Sequence, residues 1–449
     1  MKPHAQTLSQ WANQGILRAA LILSASGLLV KVVATCREFV AASLYGRSDA
    51  MDAFLVAILL PNLLVNLIAE SMNQALIPTL VRVRELEGSR AAQRLLNSSF
   101  LLLCTLLVTA CLLMALAARF YFPLLAANFG AEKLALARQL FYMLLPMVVL
   151  MGIASNATAV LNLFERFAAP ALVPAVTPLV TIAGILLFGQ RYGIWAMAYA
   201  TLAGVFVHAL LVVIMMERHG YHLRLVWHGA DDALREVAHQ YGPVLASGLL
   251  ASSGLLVDQA MAAMLAPGSV SSLVYANRYV SVVMTLLAGA LSSAVVPYFS
   301  ELVAHRDWAG CRQILHTWLW RSAWGSVPFA LLLMAASGVL LRLTLEHGVF
   351  TANDTASVLP VLLCSAIQIP FYAISRIDYR FIVTMRRTDL IFYCGGLNLL
   401  LDVVLNLLLM RLFGVAGIAL ATSLWTVSTF IFLRCAAHHL LRRAERLQL

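Results

Sequence analysis

Charged side chains interrupt the apolar stretches of this sequence at a few places, and these places are where it could do chemistry. Lys31, Arg37 and Glu38 all fall within the first apolar segment. A charge at the bilayer centre costs roughly 2.5–3.5 kcal/mol on insertion scales, so lipid does not accept three of them in one helix. Lys31 and Glu38 share a helix face, and Arg37 lies about 120° from Lys31. This part of the helix must therefore border protein or water.

The second apolar segment carries a stripe of polar residues. Asn62, Asn66, Glu70 and Asn73 follow one another at spacings of 4, 4 and 3, which places them on one face of a helix. Asp52 opens the same segment. The stripe predicts a hydrated path along this helix. Asparagines also hold membrane helices together through hydrogen bonds, and that structural role is the alternative here.

Cations also occur in the second half of the chain, where Arg278 follows Asn277 in an apolar segment. Lys31, Arg37 and Arg278 come from matching regions of the two halves. A central cavity lined by them would attract a phosphate or a carboxylate, because a guanidinium can bind two oxygens at once. A transporter of cationic drugs is expected to show an acidic excess instead.

Structural roles for these charges stay open at this point. Arg37 can neutralise Glu38 or Asp52 as an ion pair, and Lys31 can extend its ammonium to the membrane surface. Arg278 has no acidic residue within a turn or two in the sequence, so a purely structural role fits it less well. A further stripe, which serves either as helix-to-helix contact or as function, comprises Asn398, Asp402 and Asn406.

The composition determines which elements position these residues. Of 449 residues, 61% are apolar and 12% are charged, against about 25% charged residues in ordinary soluble proteins. This excludes a soluble domain, a disordered chain and a disulfide scaffold. The apolar runs lack the alternation of a membrane barrel. Since each span needs about 20 residues, the sequence predicts an all-α polytopic membrane protein with about twelve transmembrane helices.

The distribution of cations predicts the orientation in the membrane. If the N-terminus is cytoplasmic, 21 of the 31 lysines and arginines fall on the inner side, 7 on the outer side and 3 within spans. Because cytoplasmic loops are enriched in these residues, we expect both termini to be cytoplasmic. The same rule explains the net charge of +10 without a nucleic-acid partner.

An internal repeat predicts two halves of similar structure. Residues 192–201 resemble residues 413–422, and residues 75–78 resemble residues 294–297, at offsets close to 220. Arg166 and Arg386 end corresponding loops. We therefore expect two parallel six-helix lobes at 1–216 and 241–449, joined by a cytoplasmic linker at 217–240. Repeats of this kind are typical of transporters that rock around a central site.

Enzyme and cofactor motifs are missing from the sequence. It contains no HExxH, no GxSxG, no P-loop and no glycine-rich dinucleotide turn. The seven cysteines form no CxxC pair, and no metal-ligand cluster stands out. We therefore expect a transporter without a cofactor or a metal rather than an enzyme, driven by an ion gradient, the membrane potential or its substrate's own gradient.

Two stretches resemble the MurJ/MviN family of lipid II flippases, within the superfamily of MATE-type and polysaccharide exporters (MOP). Arg37-Glu38 stands where the family has Arg-Asp, and it is followed by Leu44-Tyr45-Gly46, Asp52-Ala53-Phe54, Leu60-Pro61-Asn62 and Ala69-Glu70. The second stretch runs from Gly268 through Tyr275-Ala276-Asn277-Arg278, where the family reads Tyr-Ala-Asp-Arg. The resemblance implies a MATE/MOP-like fold in a bacterial inner membrane.

The resemblance further implies a function and a set of site residues. The protein would move a saccharide linked to undecaprenyl-type polyprenyl diphosphate from the inner to the outer leaflet by alternating access. The family's important charges carry over to Arg37, Glu38, Asp52 and Arg278. Lys31 sits where the family tends to have arginine. We expect the cations to bind the anionic group, and Glu38 and Asp52 to hold the arginines in one state of the cycle.

Some residues depart from the family pattern and leave the substrate open. Val65-Asn66 replaces a family Arg-Arg pair, Asn277 replaces the usual acid, and about twelve spans replace the usual fourteen. Lipid II of peptidoglycan biosynthesis and an exopolysaccharide or O-antigen-type repeat unit are both compatible with the sequence. Asn62 and Asn66 are expected to contact the sugar, with Glu70 and Asn277 as gating residues. Glycan polymerase or glycosyltransferase machinery is the corresponding protein partner.

Two further functions compete with the flippase interpretation. A MATE-like antiporter coupled to H⁺ or Na⁺ would use Asp52, Glu70, Asp258 or Asp402 as its acids. A non-transporting scaffold for a glycan polymerase has little reason to keep charges inside the spans of both halves.

Overall fold

The computed structural model describes residues 25–126, 128–162 and 168–447, apart from the side chains of 124, 168, 251, 288–298 and 447. The sequence predictions for Lys2, Arg18 and Arg166 lie outside these residues. The described chain folds into helices: α1 at 25–45, α2 Asp49–Leu64, a π-helix Val65–Glu70, α3 Ser71–Glu87, α4 Ser89–Leu125, α5 Ala131–Leu144, α6 Pro146–Asn162, α7 Ala168–Leu172, a 3₁₀ turn Val173–Ala175, α8 Val176–Tyr192, α9 Ile194–Arg218, α10 Asp232–Ala263, α11 Ser269–Ala304, α12 Trp308–Thr344, α13 Ala352–Ala366, α14 Gln368–Thr384, α15 Thr388–Phe413 and α16 Val415–Leu447.

The number of membrane spans differs slightly from the expected twelve. Within the described residues, ten helices are long and apolar enough to cross a membrane, or eleven if the pair α5–α6, bent by 41°, is one span. Helix α1 is not among them, because every 18-residue stretch within 25–45 contains Lys31, Arg37 and Glu38. The polytopic all-α fold is confirmed, whereas the count of twelve is not.

The second span is continuous but irregular. It runs from Asp49 to Glu87 and contains Pro61 followed by the π-helix Val65–Glu70. Proline lacks the N–H that a regular helix needs, and a π-helix closes each turn with one more residue than an α-helix. Short π segments occur frequently at functional sites. This one carries Asn66 and Glu70 of the predicted stripe.

The described chain divides into two compact units. Unit 1 comprises residues 1–41, 57–124 and 134–252, and unit 2 comprises residues 42–56, 125–133 and 253–449. The larger part of each unit comes from one half of the sequence. Residues 42–56, which include Asp52, belong to unit 2.

Small residues bring two helices of unit 1 close together. A Cβ added to Gly204 of α9 would lie 2.7 Å from the Thr177 carbonyl oxygen of α8, and one added to Gly184 would meet the side chain of Ala200. Membrane helices gain contact in this way, because glycine and alanine let their backbones approach. Helices α8 and α9 therefore form a tight antiparallel hairpin, and α9 also packs against α6.

Helices α15 and α16 of unit 2 form the matching hairpin. Gly193 connects α8 to α9 at φ 55° and ψ −138°, and Gly414 connects α15 to α16 at φ 58° and ψ −135°. Only glycine adopts this conformation without strain. In unit 1 α9 also packs on α6, and in unit 2 α16 also packs on α14. The turns and helix neighbours thus follow the internal repeat that the sequence indicates.

The segment between α9 and α10 is shorter than the linker expected from the sequence. Since α9 ends at Arg218 and α10 begins at Asp232, residues 232–240 are helical rather than part of a linker. The segment lies along α4 of unit 1. There the backbone N–H of Arg224 donates to Asn97 Oδ1 at 3.2 Å, and that of His228 donates to Ser98 Oγ at 3.2 Å.

Candidate functional site

A cavity of about 850 Å³ lies within unit 1 and contains residues of the predicted polar stripe. We call it the α6 cavity, because α6 forms one wall and the irregular second span forms the other. Its lining consists of Val65, Asn66, Glu70, Asn73, Gln74, Ile77, Pro78, Met151, Ser155, Thr158, Ala159, Asn162, Pro174 and His208. Its volume falls in the range of about 300–1,000 Å³ that is typical of ligand sites.

Hydrogen bonds connect the two walls of the α6 cavity. Ser155 Oγ donates to Glu70 Oε1 at 2.6 Å, and Asn73 Nδ2 donates to Ser155 Oγ at 2.7 Å. Asn156 Nδ2 donates to Asn73 Oδ1 at 3.2 Å behind the wall. The polar stripe of the second span is therefore fixed in position by residues of α6. Glu70 itself stays exposed to the cavity.

The chemistry of the α6 cavity is that of a neutral polar site with one acid. Glu70 is its only carboxylate, and no lysine or arginine belongs to the lining described above. Asn162 Oδ1 and His208 Nε2 have no hydrogen-bond partner. Amide, hydroxyl and imidazole groups of this kind bind hydroxyl-rich or amide-bearing ligands rather than a diphosphate.

The structure divides the predicted polar stripe. Asn66, Glu70 and Asn73 line the α6 cavity, whereas Asn62 does not belong to its lining. The π-helix begins between Asn62 and Asn66, and its wider turn breaks the line that a spacing of four produces in an α-helix. A sequence pattern read at constant pitch could not detect this change.

The charged residues of α1 contact one another. The Arg37 guanidinium forms an ion pair with Glu38, whose side chain is 1% exposed against 15% for Arg37. Arg37 Nε has no hydrogen-bond partner. Lys31 lies two turns earlier and is half-buried, with its carbonyl oxygen accepting from Thr35 Oγ1 at 2.8 Å. The pair lowers the cost of burying Arg37 in an apolar helix and leaves one guanidinium nitrogen without an acceptor.

Asp52 caps the N-terminus of α11 within unit 2. Its carboxylate accepts from the backbone N–H of Gly268 at 2.7 Å and of Ser271 at 2.9 Å. Lys133 Nζ lies 3.0 Å from the same carboxylate. Gly268 is the N-cap residue and has no side chain to do this itself, and its φ of 81° suits glycine. The carboxylate of Asp52 contacts Lys133 in this conformation.

Arg278 and Asn277 lie next to each other on α11. Both side chains are half-buried, and Asn277 Oδ1 accepts from Ser365 Oγ of α13 at 3.3 Å. The Arg278 carbonyl oxygen accepts from Ser281 Oγ at 3.0 Å. The predicted cation is therefore present in a span of unit 2, and the amide that replaces the family's acid contacts a neighbouring helix.

A buried acidic cluster in unit 2 was not among the site residues expected for the flippase. Asn406 Nδ2 donates to Asp258 Oδ1 at 2.8 Å and to Asp402 Oδ1 at 3.1 Å. Thr422 Oγ1 donates to Asp258 Oδ2 at 2.9 Å. Both carboxylates are almost fully buried, and neither forms an ion pair with a lysine or arginine of the described chain. Asp258 on α10 and Asp402 on α15 are visible in the sequence as acids within apolar segments, but nothing in the sequence indicates that they lie side by side.

The chemistry of this cluster follows from its charge. Two carboxylates cannot both stay ionised in a buried site without a counter-charge, so they hold at least one proton or a cation. Their donor set consists of carboxylate, amide and hydroxyl oxygens, which suits a proton or a small hard cation.

Comparison with known proteins identifies the family. The family model described as "Lipid II flippase MurJ" matches residues 41–446. A probable lipid II flippase MurJ of Rickettsia prowazekii is 22% identical over 423 residues, covering 91% of this chain and 81% of the relative. The lipid II flippase MurJ of Burkholderia cenocepacia is 26% identical over 355 residues, covering 76% and 68%.

Solved structures agree on the fold. A lipid II flippase MurJ in an inward closed conformation matches with a TM-score of 0.80 and 21% identity, covering 93% of this chain and 87% of that chain. An inward-facing MATE multidrug transporter of the MOP superfamily matches with a TM-score of 0.81 and 11% identity, covering 95% and 99%. Both likenesses show the MATE/MOP-like fold, and the family model adds the assignment within it. The chain belongs to the MurJ family of lipid II flippases.

Proposed function

We propose that this protein moves a polyprenyl-diphosphate-linked saccharide, with lipid II as the first candidate, from the inner to the outer leaflet of a bacterial cytoplasmic membrane. The observation that carries the proposal is the match to the lipid II flippase family over residues 41–446. The charges retained inside the spans support it, because each is costly unless it is used. Both termini face the cytoplasm in this proposal.

Arg37 and Arg278 supply the contacts to the diphosphate. A guanidinium binds two phosphate oxygens with two parallel hydrogen bonds, which an ammonium cannot do. Arg37 pairs with Glu38 through its guanidinium, and its Nε is buried without a partner in this conformation. Lys31 adds positive charge two turns away on the same helix.

The α6 cavity of unit 1 takes the neutral polar part of the substrate. Its lining, among the described residues, offers amides, hydroxyls and one carboxylate from Glu70, without a lysine or arginine. Asn66 lines this cavity. Asn62 does not belong to the lining, so its contacts with the substrate lie outside the cavity. Sugar hydroxyls and peptide amides both find donors and acceptors among these groups.

Asp52 acts in the opening step of the transport cycle, and Asp258 acts in the coupling of transport to an ion. Asp52 holds the start of α11 through two backbone hydrogen bonds, so its release would free that helix end. The cluster of Asp258 and Asp402 exchanges a proton or a small cation during the cycle, because its burial leaves two carboxylates without a basic partner in the described chain.

The experiment is complementation of a bacterium whose own lipid II flippase is depleted, with lipid II measured in the outer leaflet. The wild-type chain should restore growth and outer-leaflet lipid II. Arg37→Ala and Arg278→Ala should each reduce flipping by about tenfold or more, because each loses charge-assisted hydrogen bonds. Arg411→Ala, at the exposed end of α15, is the matched control and should behave like the wild type.

Other outcomes of the same experiment would assign a different function. Full activity of both arginine variants at normal expression would remove the proposed anion site. Failure to restore lipid II, together with lost surface polysaccharide in a deletion strain, would assign an exopolysaccharide or O-antigen-type unit. Altered drug susceptibility with unchanged surface glycans would instead favour a cation-coupled multidrug antiporter.

A further inference from the structure

A second pocket lies within unit 2, between α14, α15 and α16, and the proposed function does not use it. Its volume is about 220 Å³, and we call it the α14 pocket. Ligand sites for drug-sized molecules begin at about 300 Å³, so this pocket accommodates one small group. The side chains that give it its chemistry are Tyr372, Ser375, Arg376, Tyr379, Asn398 and Trp425.

Arg376 is the only charged residue of this lining. Its Nη2 donates to Tyr372 Oη at 2.6 Å, and the centre of its guanidinium lies 4.7 Å from the Tyr372 ring and 5.7 Å from the Tyr379 ring. No carboxylate of the described chain forms an ion pair with Arg376. The nearest acid along α14, Asp378, pairs with Arg434 at 3.2 Å instead.

A second side chain of the pocket, on α16, has a donor without an acceptor. Trp425 of α16 lines the α14 pocket, and its Nε1–H is buried without a hydrogen-bond partner. Such orphaned donors are rare in native proteins and require a reason. Asn398 Nδ2 has only the sulfur of Cys394 at 3.8 Å, which is a weak acceptor. The described lining of the pocket therefore offers donors and one positive charge, without a carboxylate.

The position of Arg376 argues against a side chain that merely extends to the membrane surface. Arg376 lies eight residues before the end of α14 at Thr384, which is about 12 Å along the helix. A snorkelling arginine would extend towards the charged turn at 386–387. Arg376 instead forms its hydrogen bond one turn back, with Tyr372.

The acids of the neighbouring helices leave this charge uncompensated. Asp402 lies one turn beyond Asn398 on α15, but it accepts from Asn406 at 3.1 Å and does not line the pocket. Asp389, at the start of α15, pairs with Arg387 at 2.7 Å. An oxyanion is the group that would neutralise Arg376 and satisfy Trp425 together.

We propose that the α14 pocket binds a phosphate group carried on a lipid, with Arg376 as the anion-binding residue and Trp425 as a second donor. Two lipids of the bilayer carry this group: an anionic phospholipid through its headgroup, and a polyprenyl diphosphate. Only the second source rests on the proposed function. Tyr372 and Tyr379 hold the guanidinium between their rings and orient it towards the ligand.

The test uses the full chain in nanodiscs of phosphatidylcholine, titrated with short-chain phosphatidylglycerol, with a short-chain polyprenyl diphosphate and with inorganic phosphate. The readout is tryptophan emission, with Trp425→Phe identifying the signal of that residue among the eight tryptophans. Arg376→Gln should weaken lipid phosphate binding by about tenfold or more. Arg380→Gln, one turn along the same helix and exposed, should bind like the wild type.

Two further variants separate binding from a structural role. Arg376→Lys keeps the charge without the fork and should bind more weakly than the wild type but more tightly than Arg376→Gln. Tyr372→Phe keeps the ring and frees Nη2, so it should bind at least as well as the wild type. If Arg376 served only to hold Tyr372, Tyr372→Phe would behave like Arg376→Gln, and that result would overturn the proposal.

The lipid arms identify the ligand. Binding of phosphatidylglycerol that depends on Arg376 supports the site and assigns a phospholipid headgroup, even for a chain that does not flip lipid II. Binding of the polyprenyl diphosphate alone supports the site and assigns it to the transported substrate. Equal affinities of the wild type and Arg376→Gln for both lipids, or no binding of either lipid, would overturn it.

Discussion

Helices α6 and α14 take corresponding places in the internal repeat, and each lines a cavity in its own unit through a serine, Ser155 or Ser375. The residue that follows the serine differs, since it is Asn156 in unit 1 and Arg376 in unit 2. The α6 cavity is large, and Glu70 is the only charged residue of its described lining. The α14 pocket is small, and Arg376 is the only charged residue of its described lining.

This difference shows which features the repeat preserves. In both units a glycine turn connects the two helices of the hairpin. The second helix of the hairpin packs on α6 in unit 1 and on α14 in unit 2. The side chains that face the cavities have diverged in charge and size. The scaffold is thus fixed by backbone packing, and a few substitutions on it give two sites of opposite charge.

The largest expected effect comes from exchanging the residues that follow these two serines. Asn156 is fully buried and hydrogen-bonded to Asn73, so Asn156→Arg should destabilise the fold by about 3 kcal/mol or more through an unpaired buried charge. Arg376→Asn should cost less than about 1 kcal/mol, since its site is a half-open pocket. Unfolding of both variants in detergent measures this. Equal stability of the two would contradict the comparison.

The next effect concerns the acid of the α6 cavity. Glu70→Gln keeps the shape but removes the charge that accepts from Ser155, and it should slow flipping by about tenfold. Transport in proteoliposomes measures the rate. Glu87→Gln, at the exposed end of α3, is the control, and an unaffected Glu70→Gln variant would remove this cavity from the substrate path.

The buried acids of unit 2 should affect coupling more than binding. Asp258→Asn and Asp402→Asn each remove a carboxylate from a cluster with no basic partner in the described chain, so transport should stop responding to an imposed proton or sodium gradient. The residual rate should be about tenfold lower than the driven wild-type rate. Asp389→Asn, exposed at the start of α15, should keep the gradient response. A response retained by both cluster variants would assign coupling elsewhere.

The smallest effect tests the repeat itself. Gly193→Ala and Gly414→Ala each place a side chain in a backbone conformation that favours glycine, and nothing else lies within 4 Å of either added Cβ. The two variants should therefore lose the same stability, about 1 kcal/mol each. Thermal unfolding measures the shift, and clearly unequal losses would mean that the turns do not play equivalent roles.

Much of the fold could be predicted from the sequence, because its signals are local. Apolar segments of span length, the glycine at equivalent turns and the face that carries Asn66 and Glu70 all follow from residues close together in the chain. The predicted number of spans, about twelve, exceeds the ten or eleven found among the described residues. One reason is that α1 contains three charged residues and is too polar to be counted as a span. The π-helix that removes Asn62 from the cavity wall leaves no sequence signature at all.

The contacts that could not be predicted join residues that are far apart in the sequence. In this conformation Asp52 accepts from backbone groups 216 and 219 residues further along the chain, and its role towards an arginine in another state of the cycle stays a prediction. Asn406 joins Asp258 across 148 residues. Pairings at such separations depend on how helices pack, and one sequence contains no record of that packing.

The cap of α11 has a consequence for how the protein is made. Asp52 is synthesised long before Gly268, so the carboxylate that caps the N-terminus of α11 is already present when that helix emerges from the ribosome. In a C-terminal half expressed alone, the backbone N–H groups of Gly268 and Ser271 at the start of α11 would lack the carboxylate that accepts their hydrogen bonds. The two halves of a split gene should therefore need to be produced together, and the N-terminal fragment acts as an assembly partner for the other.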